Sequence, residues 1–389
     1  MSNLFILTNM SKKSEEKILG SGVFASVYVA EEGTVEKRYD ISDIKDASKE
    51  INILTTIKNN RAGFKSFCLD KLGFYVKSSL ITIKGWSLEK GPVIKMKRYT
   101  CTLQDLMVAY YKKTGKVIDI ELAKHIHFKI MFGLAELQYS SIIHGDMKPE
   151  NILISLDSKL LKTTTIRTSK KKTNRFQSTE DIVNFIISEE RKQGGMDSIT
   201  KSIVVKIIDF NKSFVSTIPF KPLDIQTIYY TPPEIIVGDY FYNNSVDIWT
   251  AGCILYELLT HNHLFNVTNK FLISEEDNAE GGEEDQGEEE EEDNYTSDED
   301  LYFIHLAMLH IYDRMIGMYP HNLLPGTKNK NVYFSNNILI GGSSLGNGNL
   351  KSIQVFNTFF NEIFERTFKY NYKERLTIEE YFTLYLRNN

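Results

Sequence analysis

Two short apolar runs, Ile142-Ile143 and Ile152 to Ile154, stand eight residues apart, and those eight are His-Gly-Asp-Met-Lys-Pro-Glu-Asn. Runs this apolar read as buried strands. The chain must therefore turn between them while carrying a carboxylate, an ammonium and an amide into the turn. Asp146, Lys148 and Asn151 form a set that phosphoryl transfer needs. The carboxylate can accept a hydroxyl proton and orient the nucleophile, the lysine can neutralise charge on the moving phosphate, and the amide oxygen can bind Mg²⁺. The bland alternative is a polar β-turn. Two further segments weigh against it by their order. An apolar strand, Val205 to Ile208, ends in Asp209, placed to bind Mg²⁺. Near the start, Gly20-Ser21-Gly22 lies between strand-like runs, where glycine lets a backbone approach phosphates. Lys37 follows one strand later and can contact phosphates while pairing with a helical carboxylate, for which Glu50 is the natural partner. Either the glycine pair or the strand-Asp-Phe string alone would carry little weight.

The rest of the chain is organised around these segments. Residues 18–39 alternate apolar and polar positions around glycines and read as three strands with a hairpin at Glu32-Gly33. Residues 43–57 read as a helix with Ile51, Ile53, Leu54 and Ile57 on one face. Strands are expected near 73–84 and 92–99, and helices near 102–112 and 121–140. Strands first and helices after argue an α+β fold. Residues 156–203 read as an insertion. Its stretch 158–175 has seven basic residues and no acidic one, and Ser178 with Asp181 then forms an N-cap pair for a short helix ending at Gly194-Gly195. A second insertion, 273–300, is expected to be disordered, because 275–300 hold 16 Asp or Glu and no Lys or Arg. Removing those 16 from the net charge of −5 leaves +11, so a mildly basic body carries one acidic tract. A third loose stretch is Gly341 to Asn349.

Composition excludes several classes. A chain of 389 residues suits one two-lobed domain or two ordinary ones. No apolar run approaches the length of a membrane span. Residues 1–14 lack the features of a secretory signal. Cys68, Cys101 and Cys253 are scattered, which argues against a disulfide scaffold or zinc site and for a reducing compartment. Abundant Asn, Ile, Lys and Tyr with only 8 Pro point to an AT-rich genome.

In order, these motifs resemble those of the eukaryotic-type protein kinases. The likeness falls on Gly20, Gly22, Lys37, Glu50, Asp146, Lys148, Asn151 and Asp209, then on Pro233-Glu234, Asp247, Trp249, Gly252 and Arg375. It covers about residues 15–386, after a tail of 1–14. It implies a bilobal protein-kinase fold, with a small β-rich N-lobe of about 15–97, a large helical C-lobe of about 98–386, and ATP and Mg²⁺ in the cleft. The ATP-binding set would be Leu19, Gly20, Ser21, Gly22, Val27, Val35, Lys37, Glu50, Met96 and Leu153. Of these, Val27, Val35 and Leu153 would sandwich the adenine, and Met96 would guard the back of the pocket ahead of hinge residues Lys97 to Tyr99. Asn151 and Asp209 would hold metal, with Asp146 and Lys148 catalytic. Thr227 resembles the substrate-loop threonine that hydrogen-bonds the catalytic Asp and Lys, and Arg375 the late arginine that pairs with Glu234. Segment 246–259, apolar nearly all round and containing Asp247, would be the helix buried in the larger lobe.

The Lys-Pro-Glu-Asn string resembles serine/threonine kinases. The segments around Thr227, Asp247 and Asp298 resemble the SR-protein kinases of the CMGC group, which also carry a spacer after the catalytic loop and lack the arginine before the catalytic Asp. An enzyme of this type from a large DNA virus or an AT-rich protist would read the same way. The likeness implies protein substrates, basic or Arg/Ser-rich, which the acidic tract would attract, and an intracellular place in cytoplasm or nucleus, or in virion or host cell for a viral enzyme. Membrane and nucleic-acid partners are not expected. Gly145 replaces the arginine that binds a phosphorylated activation loop, so activity independent of that phosphorylation is expected. Ala25, Asn211 and Thr231 depart from the family pattern at the third loop glycine, at the glycine of the metal loop and at a CMGC arginine. The competing readings are a pseudokinase that acts as a binding module, favoured by Asn211 and Gly145, and a small-molecule kinase, against which Thr227, Glu234 and Arg375 weigh.

Overall fold

The computed structural model describes residues 18–21, 25–30, 33–88, 91–157, 178–216, 227–239, 243–266, 298–341 and 357–388, with 298–300 described by backbone alone. The tail 1–14, Gly22, Glu32, the basic stretch 158–175, the acidic tract up to 297 and residues 342–349 lie outside them.

The smaller part is an antiparallel sheet of β1 (Ile18–Ser21), β2 (Ala25–Val29), β3 (Thr34–Tyr39), β4 (Ile83–Ser87) and β5 (Val93–Lys97), in the order β1-β2-β3-β5-β4. The period of two along β3 turns Val35, Lys37 and Tyr39 to a buried face. Residues directly opposite in a ladder share a face, so Val27, opposite Lys37, and Met96, opposite Val35, join that side. Helix α1 (Ile44–Phe67) packs on the sheet through Ala47, Ile51, Leu54 and Ile57. It runs ten residues beyond the expected end at 57, because Phe64 continues the buried face and its ring meets Phe132 at 5.4 Å and Tyr139 at 5.7 Å. The strand expected near 73–84 begins only at Ile83. Residues 74–82 form no ladder beyond a bridge from Leu80 to Ile207, and Phe74 packs among Phe128, Phe132 and Phe382 instead.

The larger part is helical: α2 (Leu103–Thr114), α3 (Ile120–Tyr139), α4 (Thr179–Glu190), α5 (Gly195–Ser202), α6 (Ser245–Thr260), α7 (Asp298–Ile316), α8 (Thr358–Thr367) and α9 (Ile378–Arg387). Short strands β6 (Cys101–Thr102), β8 (Ile152–Leu156) and β9 (Ile203–Ile207) form one small sheet, and β7 (Ile142–Ile143) pairs with β10 (Phe214–Val215). From Val246 to Leu259 only Tyr256 of α6 escapes burial, as an all-round apolar helix requires. Trp249 of α6 meets Phe265, Tyr312 and Phe368 with ring centroids 5.0–5.3 Å away. The Arg375 guanidinium lies 4.7 Å from the same ring and donates to both carboxylate oxygens of Glu234, each at 2.6 Å. The expected Glu234–Arg375 pair is thus formed, fully buried, with the bidentate geometry that offsets desolvation. Among the described residues no helix is long and apolar enough to cross a membrane.

The described part of the 156–203 insertion is folded onto this core. Leu156 pairs with Ile203 and closes it off. Ser178 and Asp181 make the capping box expected of them. The helix does not reach Gly194-Gly195, however. It stops at Glu190, Gly194 takes a φ of 71°, and Gly195 opens a second helix so close to Glu189 that a Cβ would sit 1.7 Å from its carbonyl oxygen. Ile182, Val183, Phe185, Ile186 and Ile199 are buried where α4 meets α2 and α5 meets α3. The acidic tract was expected to be disordered to residue 300, but α7 begins at Asp298, carried back by an apolar face that includes Ile304, Met308, Leu309 and Tyr312. Because Ile186 is wholly buried, Ile186→Ala should lower unfolding stability by about 2–5 kcal/mol in denaturant titrations. A loss below about 0.5 kcal/mol would mark the insertion as a surface ornament.

Candidate active site

The cleft between the two parts is built around one ammonium. Lys37 Nζ lies 2.9 Å from Glu50 Oε2 of α1 and 2.8 Å from Asp209 Oδ1, which follows β9. Burial alone would lower the pKa of this lysine, but the two carboxylates outweigh it and hold it well above the usual range. Burial pushes Asp209 up and Lys37 pulls it back down, leaving it below the usual carboxylate range. Asp209 sits at φ 64°, in the left-handed region that non-glycine residues seldom occupy.

The opposite wall is the turn between β7 and β8. Asp247 of α6 accepts the backbone N–H groups of His144 at 2.8 Å and Gly145 at 3.1 Å, so the central helix carries the turn. Burial raises the Asp247 carboxyl above its usual range, against these donors. His144 Nε2 meets the Ile208 carbonyl at 3.0 Å, and Ser213 Oγ donates to the His144 carbonyl at 2.8 Å. His144 thus ties the turn to the Asp209 segment. Gly145 has φ 76°, and a Cβ there would lie 3.0 Å from the Lys212 carbonyl oxygen, so neither backbone nor space suits an arginine. Asn151 Nδ2 donates to the Asp146 carbonyl at 2.7 Å, which leaves the amide oxygen as its free pole. Asp146 is buried, and its Oδ1 accepts no hydrogen bond from the described residues.

Val27, Val35 and Met96 share the Lys37 face of the sheet, and Leu153 is half-buried two residues after Asn151. Leu19, Gly20 and Ser21 form the exposed β1, where Ser21 Oγ meets Ser26 Oγ at 2.8 Å. The Thr227 contact expected from the resemblance is not made: among the described residues Thr227 has no bond to Asp146 or Lys148, and its carbonyl accepts from Tyr230 N and Thr231 Oγ1. Lys148 is half-buried. The cation facing Asp146 is Lys212, at 3.6 Å, which occupies that side of the carboxylate.

Four residues escaped the sequence reading. Tyr39, two positions after Lys37 on the same strand face, bonds Glu50 and lies 2.9 Å from Asn211 Oδ1. Lys49 Nζ donates to the Asn211 carbonyl at 2.8 Å. Lys212 faces Asp146. Lys206 of β9 donates to the Ser78 and Leu80 carbonyls behind the cleft, where burial and then Arg61 draw its pKa down to about 7. Strand periodicity could have flagged Tyr39. The others depend on tertiary approach.

The sequence pattern of the protein kinase domain matches residues 14–384. The chain belongs to the protein kinase family. The β-rich and helical parts are therefore the two lobes of that α+β fold. Cyclin-dependent kinase E-1 of Arabidopsis thaliana is 28% identical over 167 residues, 42% of this chain and 27% of that protein. Probable cyclin-dependent kinase 8 of Dictyostelium discoideum is 27% identical over 163 residues, 41% of this chain and 32% of that protein. Cyclin-dependent kinase B2-1 of Arabidopsis thaliana is 23% identical over 253 residues, 64% of this chain and 66% of that protein. The chain thus spans about a third or less of the length of the first two, and the likeness is to the CMGC group at low identity.

The Gly145 backbone makes one consequence measurable. Gly145→Ala should cost about 1–2 kcal/mol of unfolding stability for the left-handed φ alone. A neutral substitution would show that the turn does not hold that conformation.

Proposed function

We propose that this chain is a serine/threonine protein kinase that transfers the γ-phosphate of ATP with Mg²⁺ to hydroxyls of protein substrates. The observation that carries the reading is the closed ion triad of Lys37, Glu50 and Asp209, facing the Asp146–Asn151 turn across one cleft. The donor set fits a hard divalent cation: the Asp209 carboxylate and the Asn151 amide oxygen are all-oxygen ligands. Bound there, Mg·ATP would supply the phosphoryl group with its charge partly neutralised. Lys37 would grip the α- and β-phosphates, and Val27, Val35, Leu153 and Met96 would line the adenine pocket beneath Leu19, Gly20, Ser21 and Gly22. Asp146 would orient the substrate hydroxyl and take its proton as the oxygen–phosphorus bond forms and ADP departs with the electron pair of the broken bond. Lys148 would screen the moving phosphate, and Thr227 would belong to the substrate platform.

The likeness to cyclin-dependent kinases and the Lys-Pro-Glu-Asn string support serine/threonine specificity. The acidic tract, the position of the 156–203 insertion and the absent arginine at 145 support basic or Arg/Ser-rich substrates of the SR-protein-kinase kind. The second reading is a kinase-fold scaffold without phosphotransfer, which Asn211 favours because it stands where the metal loop has glycine.

Transfer of radiolabelled γ-phosphate separates the two. Wild type should label an Arg/Ser-rich peptide more strongly than an acidic protein. Asp146→Asn should lose about 10²–10⁴-fold in kcat with ATP affinity kept, and Lys37→Met should impair transfer. Equal rates for wild type and Asp146→Asn would remove Asp146 from its role. Nucleotide binding without any transfer would move the assignment to the scaffold.

A further inference from the structure

Asn211 counts as a defect only on the motif. Its surroundings give it work. Besides the Lys37–Asp209 ion pair, three links tie this loop to the small lobe: Phe210 N–H donates to Glu50 Oε1 at 3.3 Å, Lys49 Nζ donates to the Asn211 carbonyl at 2.8 Å, and the Asn211 side-chain amide meets the Tyr39 hydroxyl at 2.9 Å. The same hydroxyl bonds Glu50 Oε2. A hydroxyl has one proton, and an ionised carboxylate only accepts. The proton therefore goes to Glu50; the atom 2.9 Å from the hydroxyl is Asn211 Oδ1, and exchanging the two ends of that amide puts its NH₂ group there to donate to the Tyr39 oxygen, the orientation the bonding network requires. Glycine at 211 could not supply that donor. The link matters because Asp209, two residues earlier, holds a left-handed backbone at φ 64°, which persists only where neighbours fix it.

We propose that Tyr39, Lys49 and Asn211 are positioning residues that clamp the Asp209 loop against α1, so that Asn211 sustains phosphotransfer rather than impairing it. The clamp joins a strand, a helix and a loop that meet only in the assembled cleft, and Tyr39 and Asn211 lie 172 positions apart in sequence. With Gly145 lacking the side chain to bind a phosphorylated loop, the clamp keeps the site assembled without that modification. The proposal rests on the kinase reading above.

The test compares full-length wild type with Asn211→Gly, Tyr39→Phe and the double variant. Each single change should lower kcat about 5- to 20-fold, the scale of one or two hydrogen bonds. It should raise the half-saturating Mg²⁺ concentration several-fold while leaving peptide KM within about twofold. Amide hydrogen exchange at Phe210 to Lys212 should quicken in each. The double variant should match the worse single, because both remove the same bond. General destabilisation would lower the active fraction without shifting the Mg²⁺ dependence, and that pattern would overturn the proposal. So would an Asn211→Gly enzyme as fast as wild type, or single effects that multiply in the double. If wild type transfers no phosphate, the kinase reading fails on that result alone. Exchange then decides the clamp: faster exchange in Asn211→Gly supports it, and unchanged exchange overturns it.

Discussion

Lys37 is only 8% exposed, and an ammonium so far from water stays charged only beside counter-charge. Its two carboxylates come from different elements, Glu50 from α1 and Asp209 from the segment after β9. Displacing either element would leave a buried charge short of a partner, at a cost of several kcal/mol. The ion triad therefore fixes where α1 lies on the sheet and where the small lobe lies on the large one. Phe210, Tyr39 and Lys49 add bonds to the same junction, so the electrostatic constraint and the hydrogen bonds agree on one arrangement.

The large lobe imposes the complementary constraint through Asp247. This carboxylate is buried on α6 and can be satisfied only by donors brought to it, which are the His144 and Gly145 amides. The turn that carries Asp146 is thus hung from a helix buried on nearly every side. That helix is held in turn by Trp249 among aromatic rings and by Arg375 locked onto Glu234. Asp146 inherits its position from packing that lies well outside the cleft.

Much of the site was legible because its chemistry is local. Asp146, Lys148 and Asn151 fall within six residues, and the requirement for a paired lysine and a strand-end aspartate points to Lys37, Glu50 and Asp209 by order alone. What escaped depends on surfaces that sequence does not pair. Polar Lys58 to Arg61 hide the continuation of α1, which Phe64 extends through contacts with α3. Phe74 and its neighbours have strand composition, yet the large lobe takes them as packing residues, so tertiary burial overrides propensity. A left-handed glycine can end one helix or precede the next, and at Gly194 spacing could not separate the two. Thr227 was assigned by position in a motif, but a hydrogen bond needs an approach that a motif does not encode.

The departures from the family pattern look different once geometry replaces spelling. An arginine at 145 would need a side chain on a left-handed residue against the Lys212 carbonyl, and glycine avoids both costs. A cation nevertheless stands beside this turn: Lys212, whose backbone abuts Gly145, reaches to 3.6 Å from Asp146. Coulomb attraction depends on distance and dielectric, not on which strand supplies the charge. Asp146 therefore has a neighbouring cation although residue 145 carries no side chain. Motif matching treats Gly145 as a loss because it reads one segment at a time. The surroundings of Asp146 come from both segments, and a residue without a side chain at 145 is what lets the second approach this closely.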